Sequence, residues 1–188
     1  MPPPIFIITG ASGSGKSSIT DSIIKRKSLP VVKFKTCTTR LKRPNERHGR
    51  DYWFLTRQEF ERQIKGNNLY EWADVYGQYY GSSKIEMQRL LKGNKPILML
   101  TNVQGAKTLK KALPQAITIY IDAPVSDLKR RLIKRGAEMN DMKKRLATIP
   151  KEAPYKEKAD FVVKNKDGQL IQAVNIVVGI IRQTIAKT

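Results

Sequence analysis

The sequence predicts an α/β fold in which a mostly parallel sheet is covered by helices on both faces. Short apolar segments of strand length alternate along the chain with longer segments of helical pattern. This alternation is typical of parallel sheets, because a crossover between two parallel strands needs a helix that covers the sheet. The 188 residues suffice for one domain with small inserted subdomains.

The strands and helices follow in order from the apolar pattern. Residues 5–9 form a largely apolar run that ends at a glycine, as expected of a buried strand. Further strands are predicted at 96–101, 116–121 and 160–163, and helices at 19–27, 57–65, 85–92, 104–112 and 125–135. A closing helix should be mostly buried, because Val177 and Ile180 widen an apolar face. That face comprises Ile171, Val174, Val178, Ile181 and Ile185.

Two segments interrupt the alternation. Residues 31–83 are rich in Arg, Tyr, Trp and Gly, and short strand-like pieces flank their helical stretch, which indicates an inserted unit. Residues 136–158 are polar and highly charged. We expect Pro150 and Pro154 to break this second segment, because proline cannot donate the backbone hydrogen bond of a helix interior.

The composition excludes several classes of protein. Hydrophobic residues make up 40% and charged residues 28%, a globular balance, and the single cysteine, Cys37, rules out an intrachain disulfide. No stretch approaches the ~18 apolar residues of a membrane span. The apolar run at 5–8 is too short for a secretory signal and has no basic region before it. The sequence predicts a soluble, cytoplasmic protein with no membrane partner, and it makes no prediction of oligomeric state.

The net charge is +20, from 36 Lys and Arg against 16 Asp and Glu. Such a surface attracts phosphates and polyanions at long range. One interpretation is nucleic-acid binding, and the other is a lysine-rich surface around an enzyme that binds anions. The basic residues are spread along the chain without forming a known nucleic-acid module, so we favour the second interpretation and do not expect nucleic acid as a partner.

The strongest local signal is a glycine-rich segment directly after the first strand. The run Gly10-Ala11-Ser12-Gly13-Ser14-Gly15-Lys16-Ser17 fits the P-loop pattern of Gly, four residues and Gly-Lys-Ser. Backbone N–H groups of such a loop converge on phosphate oxygens, and the next helix adds its positive end. Lys16 should reach the β- and γ-phosphates of ATP, and the Ser17 hydroxyl should bind Mg²⁺. The predicted ATP-binding residues are Gly10, Ser12, Gly13, Ser14, Gly15, Lys16, Ser17 and Ser18.

The P-loop pattern alone identifies only a nucleoside triphosphate site, because motors, GTPases, ABC ATPases and small-molecule kinases all carry it. Ser18 stands where a dinucleotide fingerprint would need a third glycine. Asn165-Lys166-Asp167 is one residue shorter than the Asn-Lys-x-Asp signature of GTPases, and we interpret it as a coincidence.

Residues 36–52, TCTTRLKRPNERHGRDY, resemble the acceptor region of guanylate kinases, which runs Thr-Thr-Arg-x-x-Arg, then Glu, then Gly-x-Asp-Tyr. Further blocks match that family in order and extend the resemblance over almost the whole chain. They are Glu-Trp-Ala at 71–73, Tyr-Tyr-Gly-Ser at 79–82, Val-Gln-Gly at 103–105, Asp-Leu-Lys-Arg-Arg-Leu at 127–132, Arg-Gly at 135–136 and Lys-Arg-Leu at 144–146. Each block is modest alone, but their order and spacing together are specific.

The resemblance implies transfer of the γ-phosphate of ATP to GMP, and also to dGMP, with Mg²⁺ as cofactor. Arginine forks match the oxygens of an acceptor phosphate, although the tyrosines could equally be packed residues. The Glu71 carboxylate could accept from the two adjacent donors of guanine, a pair that adenine lacks. The implied GMP-binding residues are Thr36, Arg40, Arg43, Tyr52, Glu71, Tyr80, Ser82 and Asn102, and the implied catalytic residues are Lys16, Arg131, Arg135 and Arg145.

The predicted fold is therefore a P-loop kinase with a parallel-sheet core flanked by helices. The core comprises 1–32, 83–134 and 153–188, an inserted acceptor-binding subdomain comprises 33–82, and a lid comprises 135–152.

The chain departs from the family at several positions. Leu100, Asn102 and Lys166 stand where guanylate kinases usually carry acids, and the lid is one residue short. Loss of a negative group near Mg²⁺ should weaken metal binding or guanine preference. Two other functions therefore stay open: a kinase for a different phosphorylated acceptor, and a binding module that no longer catalyses. The intact Lys16 and Ser17 disfavour the second.

Overall fold

The structure is a computed structural model that describes residues 2–26, 28–75, 77–134, 136 and 138–187. Its core is a five-stranded sheet in which every neighbouring pair of strands is parallel. In spatial order the strands are β2 (Val32–Lys33), β7 (Ile97–Leu100), β1 (Ile5–Thr9), β8 (Ile117–Asp122) and β9 (Phe161–Lys164). The predicted α/β fold with a parallel core is confirmed.

The described residues also form seven α-helices and one 3-10 helix. They are α1 (Lys16–Ile24), α2 (Arg57–Lys65), α3 (Lys84–Leu91), α4 (Val103–Ala112), α5 (Val125–Lys134), α6 (Met139–Glu152), α7 (Leu170–Ile185) and a 3-10 helix at Ala153–Lys158. No helix in the described parts of the chain is both long and apolar enough to cross a membrane.

Each face of the core sheet has its own hydrophobic cluster. Phe6 and Ile8 of β1 pack in one cluster with residues of α1 and α7. Ile5 and Ile7 point the other way and pack with residues of α3 and α4. Because both faces are buried, β1 is apolar at every position but its last, as the sequence indicated.

A smaller four-stranded sheet is formed between β2 and α3 along the chain. In spatial order its strands are β4 (Trp53–Phe54), β3 (Cys37–Thr38), β6 (Gln78–Ser83) and β5 (Leu69–Val75). Phe60 of α2 is fully buried in its small core. Helix α2 begins where predicted, because Thr56 and Glu59 form a capping box that satisfies backbone N–H groups at its start.

Several expectations were wrong in detail. Pro150 does not break its segment but lies in the last turn of α6, where its missing N–H removes one hydrogen bond and the helix ends two residues later. Pro154 is the second residue of the 3-10 helix that begins at Ala153. Ile171 is 73% exposed, because the buried face of α7 begins two residues later. Strand β2 was missed, since two residues give no recognisable pattern.

Candidate active site

One open cleft lies where the carboxyl ends of the parallel strands meet the smaller sheet. Its cavity has a volume of about 490 Å³. Ligands of α/β proteins commonly bind at this edge of the sheet. Residues of both predicted sites line the cleft: Lys16, Ser17, Thr36, Arg40, Arg43, Tyr52, Glu71, Tyr80, Asn102 and Arg145.

The P-loop leads directly from β1 into α1. Gly15 caps α1 with a φ of 98°, a left-handed conformation that favours glycine. A Cβ at this position would also lie 2.2 Å from Nδ2 of Asn165, so a larger residue does not fit. Nζ of Lys16 donates hydrogen bonds to the carbonyl oxygens of Gly10 at 2.6 Å and Ala11 at 2.9 Å. The ammonium group is therefore held beside the loop that would bind phosphate.

The P-loop also borders two further cavities. Gly10 and Ser12 line one of about 430 Å³, which extends under α6. Gly15 and Ser18 line another of about 460 Å³ on the outer side of the loop. The predicted ATP-binding residues thus have open space on both sides of the loop.

Two side chains from distant segments brace the P-loop from behind. Nδ2 of Asn165, just after β9, donates to the carbonyl oxygen of Ser14 at 2.7 Å. Arg131 donates to the carbonyl oxygens of Gly13 and Ser14 at 3.3 and 3.4 Å, and its Nε donates to Asp167 at 2.7 Å. Arg131 therefore lies behind the loop in this structure, and its catalytic role stays a prediction.

A basic and aromatic cluster forms the acceptor end of the cleft. NH2 of Arg40 donates to both carboxylate oxygens of Glu46 at 2.9 Å, and the backbone N–H of Arg43 donates to Glu46 at 2.9 Å. Burial alone would raise the pKa of Glu46, but these hydrogen bonds outweigh it and the pKa is lowered. The ionised Glu46 fixes the Arg40 guanidinium beside Tyr52, whose ring lies 6.4 Å from that of Tyr80.

A mostly buried carboxylate lies opposite this cluster. Oγ of Ser82 donates to Oε1 of Glu71 at 2.6 Å, and burial raises the pKa of Glu71 despite this hydrogen bond. Gly105 lets the carboxylate approach α4, because a Cβ there would lie 3.2 Å from Oε2 of Glu71 and 2.1 Å from Oγ1 of Thr101. Asn102 caps α4 by accepting a hydrogen bond from the Gly105 N–H at 2.8 Å.

Helix α6 brings one predicted lid arginine to the P-loop. Nε of Arg145 donates to Asp141 at 2.8 Å, and NH1 donates to Oγ of Ser12 at 3.0 Å. The second contact links α6 directly to the loop. Arg135, also predicted to be catalytic, lies outside the described residues.

Sequence reasoning missed the parts played by three polar residues. Glu46 belongs to the acceptor block, and its negative charge among basic neighbours was the available signal. Asn165 was interpreted as part of a coincidence, yet it holds the P-loop. Glu152, the last residue of α6, lines the cavity under that helix. Burial raises the pKa of Glu152, although the charges of Lys16 and Lys107 oppose this, and no sequence pattern pointed to it.

The parallel sheet and the P-loop after its central strand define the class of P-loop nucleotide-binding proteins. The solved structure of guanylate kinase from Anaplasma phagocytophilum matches the fold with a TM-score of 0.76 at 22% identity, covering 97% of this chain and 86% of that one. Shikimate kinase from Bacteroides thetaiotaomicron matches with a TM-score of 0.54 at 13% identity, covering 95% and 98%.

The chain belongs to the guanylate kinase family, whose family model matches residues 3–183. It is 36% identical over 185 residues to guanylate kinase of Thermotoga maritima, an alignment that covers 97% of this chain and 88% of that protein. It is 38% identical over 167 residues to guanylate kinase of Chlamydia trachomatis, covering 88% and 81%. The resemblance seen in the sequence is confirmed, and the protein is an enzyme of the nucleoside monophosphate kinase class.

Replacing Gly105 with alanine is expected to raise the KM for the acceptor nucleotide about tenfold or more, because the new methyl group collides with Thr101 and crowds Glu71. Steady-state kinetics with the acceptor varied at saturating ATP would measure this. Gly179→Ala in α7 is the matched control, because a Cβ there meets nothing within 4 Å. An unchanged KM in Gly105→Ala would show that Glu71 does not need its approach to α4.

Proposed function

We propose that the protein transfers the γ-phosphate of ATP to GMP, giving ADP and GDP, with dGMP as a second acceptor. One observation carries this proposal: Lys16 and Ser17 of the P-loop line the same cleft as Glu71 and the Arg40 cluster. A donor phosphate at the loop and an acceptor phosphate at Arg40 would meet inside that cleft. The proposed contacts involve the phosphate and the base, and none of them requires the ribose 2′-hydroxyl, so dGMP is included.

The loop residues supply the donor side of the reaction. Lys16 would give up its contacts with the loop carbonyls and bind the β- and γ-phosphates. Its charge stabilises the negative charge that spreads over the transferring group. Arg145, already in contact with Ser12, would add a second cation, and Arg131 and Arg135 are proposed to act with it. No protein nucleophile or dedicated base is needed, because an oxygen of the acceptor phosphate itself attacks the γ-phosphorus of ATP.

The residues present also fit a magnesium ion brought by the nucleotide. The described residues contain no group of three His, Cys, Asp or Glu side chains that could hold a metal without a substrate. Mg²⁺ commonly binds through one or two protein groups together with substrate phosphates, and the Ser17 hydroxyl lines the cleft in a suitable place. Bound there, Mg²⁺ would neutralise charge on the phosphates.

The outer cavity provides a place for the donor's adenosine. It adjoins Gly15 and Ser18, where the nucleoside must leave the phosphate cradle. Oδ1 of Asn165 is buried and has no hydrogen-bond partner among the described residues. A turn of the Asn165 side chain toward the cavity that it lines would let this oxygen accept a hydrogen bond from the amino group of adenine, which would favour ATP as the donor.

Acceptor recognition divides between the two ends of the cleft. Arg40, Arg43, Tyr52 and Tyr80 would hold the phosphate, while Glu71 accepts hydrogen bonds from the base. Thr36 and Ser82 supply hydroxyl groups near the base, and Asn102 lies at the start of α4. Adenine lacks the paired donors that Glu71 needs, so AMP would leave a buried carboxylate unsatisfied.

We further propose that 33–82 acts as the acceptor-binding subdomain and 135–152 as a lid on the core of 1–32, 83–134 and 153–188. Closure over both nucleotides would exclude water and favour transfer over hydrolysis. We place the reaction in the cytoplasm, because the one cysteine, Cys37, is buried and a reducing compartment suits it.

Replacing Arg40 with alanine is expected to raise the KM for GMP about a hundredfold, because the acceptor phosphate loses a charge-assisted pair of hydrogen bonds. The preference for GMP over AMP should stay the same, since the base contacts remain. Glu46→Gln is the matched variant: it keeps the guanidinium and should raise the KM less. A KM equal to that of the native enzyme in Arg40→Ala would place the acceptor phosphate elsewhere.

A coupled ADP-release assay with ATP and Mg²⁺ tests the proposed reaction. GMP, dGMP, AMP, UMP and CMP are offered in parallel, with Lys16→Ala as the inactive control. Turnover mainly with GMP and dGMP, lost in the control, is expected. Turnover with a different monophosphate would move the assignment to a sister kinase, and ATP binding without any transfer would contradict the proposal.

A further inference from the structure

The base-reading end of the cleft contains few carboxylates. Of the described residues that line this cleft, only Glu71 and Asp141 carry carboxylates. Asp141 lies at the lid end, where Arg145 donates to it. Glu71 is therefore the carboxylate available to the base, and one of its oxygens already accepts from Ser82.

Asn102 offers this end of the cleft a neutral amide rather than a carboxylate. Its Oδ1 is engaged as the N-terminal cap of α4, where it accepts from the Gly105 N–H at 2.8 Å. That bond also fixes the orientation of the amide, because the backbone N–H can only be met by the oxygen. One lone pair of Oδ1 is left as a neutral acceptor, and Nδ2 can only donate. Guanylate kinases usually carry an acid at this position, which would be a stronger, charged acceptor.

Glu71 and Asn102 lie on either side of one point in the cleft, beside Gly105. A Cβ on Gly105 would lie 3.2 Å from Oε2 of Glu71 and 3.3 Å from Oδ1 of Asn102. A base edge that meets the Glu71 carboxylate therefore also comes close to the Asn102 amide. At position 100 the apolar side chain of Leu100 lines the cleft and adds no acceptor.

The carboxylate of Glu71 and the amide of Asn102 can distinguish some purine bases from others. Guanine and hypoxanthine share the 6-oxo group and the N1–H, and guanine adds a 2-amino group with two N–H donors. Glu71 can accept from N1–H and from one amino hydrogen. The second amino hydrogen meets at best the neutral amide oxygen of Asn102, which already accepts from Gly105, so the 2-amino group gains less here than it would beside a second carboxylate. Xanthine would instead place a carbonyl oxygen against Glu71, and adenine lacks the N1–H.

We infer that the acceptor site takes 6-oxopurine monophosphates as a class, so that IMP is phosphorylated as well as GMP, and that Asn102 sets this low discrimination. In the step with IMP, the bond between the γ-phosphorus of ATP and its β–γ bridging oxygen breaks as a bond forms to an IMP phosphate oxygen. The products are ADP and IDP. This inference rests on the proposed function and extends its range of acceptors.

The test compares kcat/KM for GMP and IMP in one enzyme preparation, so that the ratio does not depend on the folded fraction. The native ratio of GMP to IMP is expected to be about a hundred or less, far below the 10⁴–10⁵ of sites that require a polar group. Asn102→Asp should raise the ratio about tenfold or more through a lower KM for GMP, because a charged acceptor then meets the amino group. Aspartate also caps helices well, so α4 is preserved.

Asn102→Ser is the matched control, since serine keeps a capping oxygen but supplies no carboxylate. Its ratio should stay near the native value. A native ratio above about 10⁴, or an unchanged ratio in Asn102→Asp, would overturn the inference while GMP turnover left the proposed function standing. Absence of turnover with GMP, despite ATP binding, would overturn both together.

Discussion

Replacing Lys16 with alanine is expected to lower kcat with ATP and GMP by about three orders of magnitude, in the range of charged groups that act on a transferring phosphoryl group. The ammonium group is the one cation of the P-loop pattern, and Nζ already lies against the loop carbonyls of Gly10 and Ala11. Its charge counts most in the transition state, so kcat should fall more than the affinity for ATP.

Single-turnover kinetics would separate the two effects on Lys16→Ala. Lys25→Ala is a suitable control, because Lys25 is exposed just beyond the same helix and has no part in the loop. Thermal unfolding should be recorded for both variants, since Lys16 also bonds to the loop backbone. A native kcat in Lys16→Ala would remove the loop from the chemistry and favour a binding function.

Replacing Glu71 with glutamine is expected to lower kcat/KM for GMP about a thousandfold, because two hydrogen bonds to a charged acceptor are lost or weakened. The loss should be much smaller for AMP, which does not use the carboxylate. Measurement of both acceptors gives the change in discrimination directly. Glu61→Gln on α2, an exposed carboxylate paired with Arg57, is the matched control. Equal losses for GMP and AMP would indicate a structural role for Glu71.

The raised pKa of Glu71 leads to two further expectations, one for GMP binding by the native enzyme and one for thermal unfolding of Glu71→Gln. Burial raises the pKa above its usual range, so GMP binding by the native enzyme should weaken as pH falls through that raised pKa. Because the folded state binds the proton more tightly than the unfolded state, protonation stabilises the fold, and at neutral pH the buried charge is destabilising. Glu71→Gln should therefore unfold at a temperature no lower than the native protein at pH 7. A marked fall in that temperature would contradict the burial argument.

The parts of the fold that the sequence predicted have signals that lie within a few consecutive residues. Strand β1 and helix α2 have the predicted bounds, because an apolar run and a capping box act locally. Strands β2, β3 and β4 have two residues each, and their pairing depends on distant partners rather than on any local pattern. Pro150 was misjudged for a similar reason: its cost depends on its place in the helix, which the sequence does not mark.

The residues of the candidate site divide in the same way, into those with a local sequence signal and those that depend on distant partners. The P-loop was identified from eight consecutive residues, whose chemistry depends on their own backbone. Glu46 and Asn165 could not be assigned in this way, since their work depends on meeting Arg40 and Ser14 in space. The capping role of Asn102 was also hidden, because the sequence shows an amide but not that its oxygen meets the Gly105 N–H at the start of α4.

The phosphate cradle near the start of the chain can be completed only after segments close to its other end have been synthesised. The bond from Asn165 to Ser14 spans 151 positions, and that from Arg131 to Gly13 spans 118. A nascent chain that stops short of β9 therefore carries the whole glycine-rich motif and Arg131 but lacks Asn165, which holds the Ser14 carbonyl. Ligand binding stabilises only states that can bind. During translation, ATP should therefore promote folding of this domain late, once almost all of it has left the ribosome.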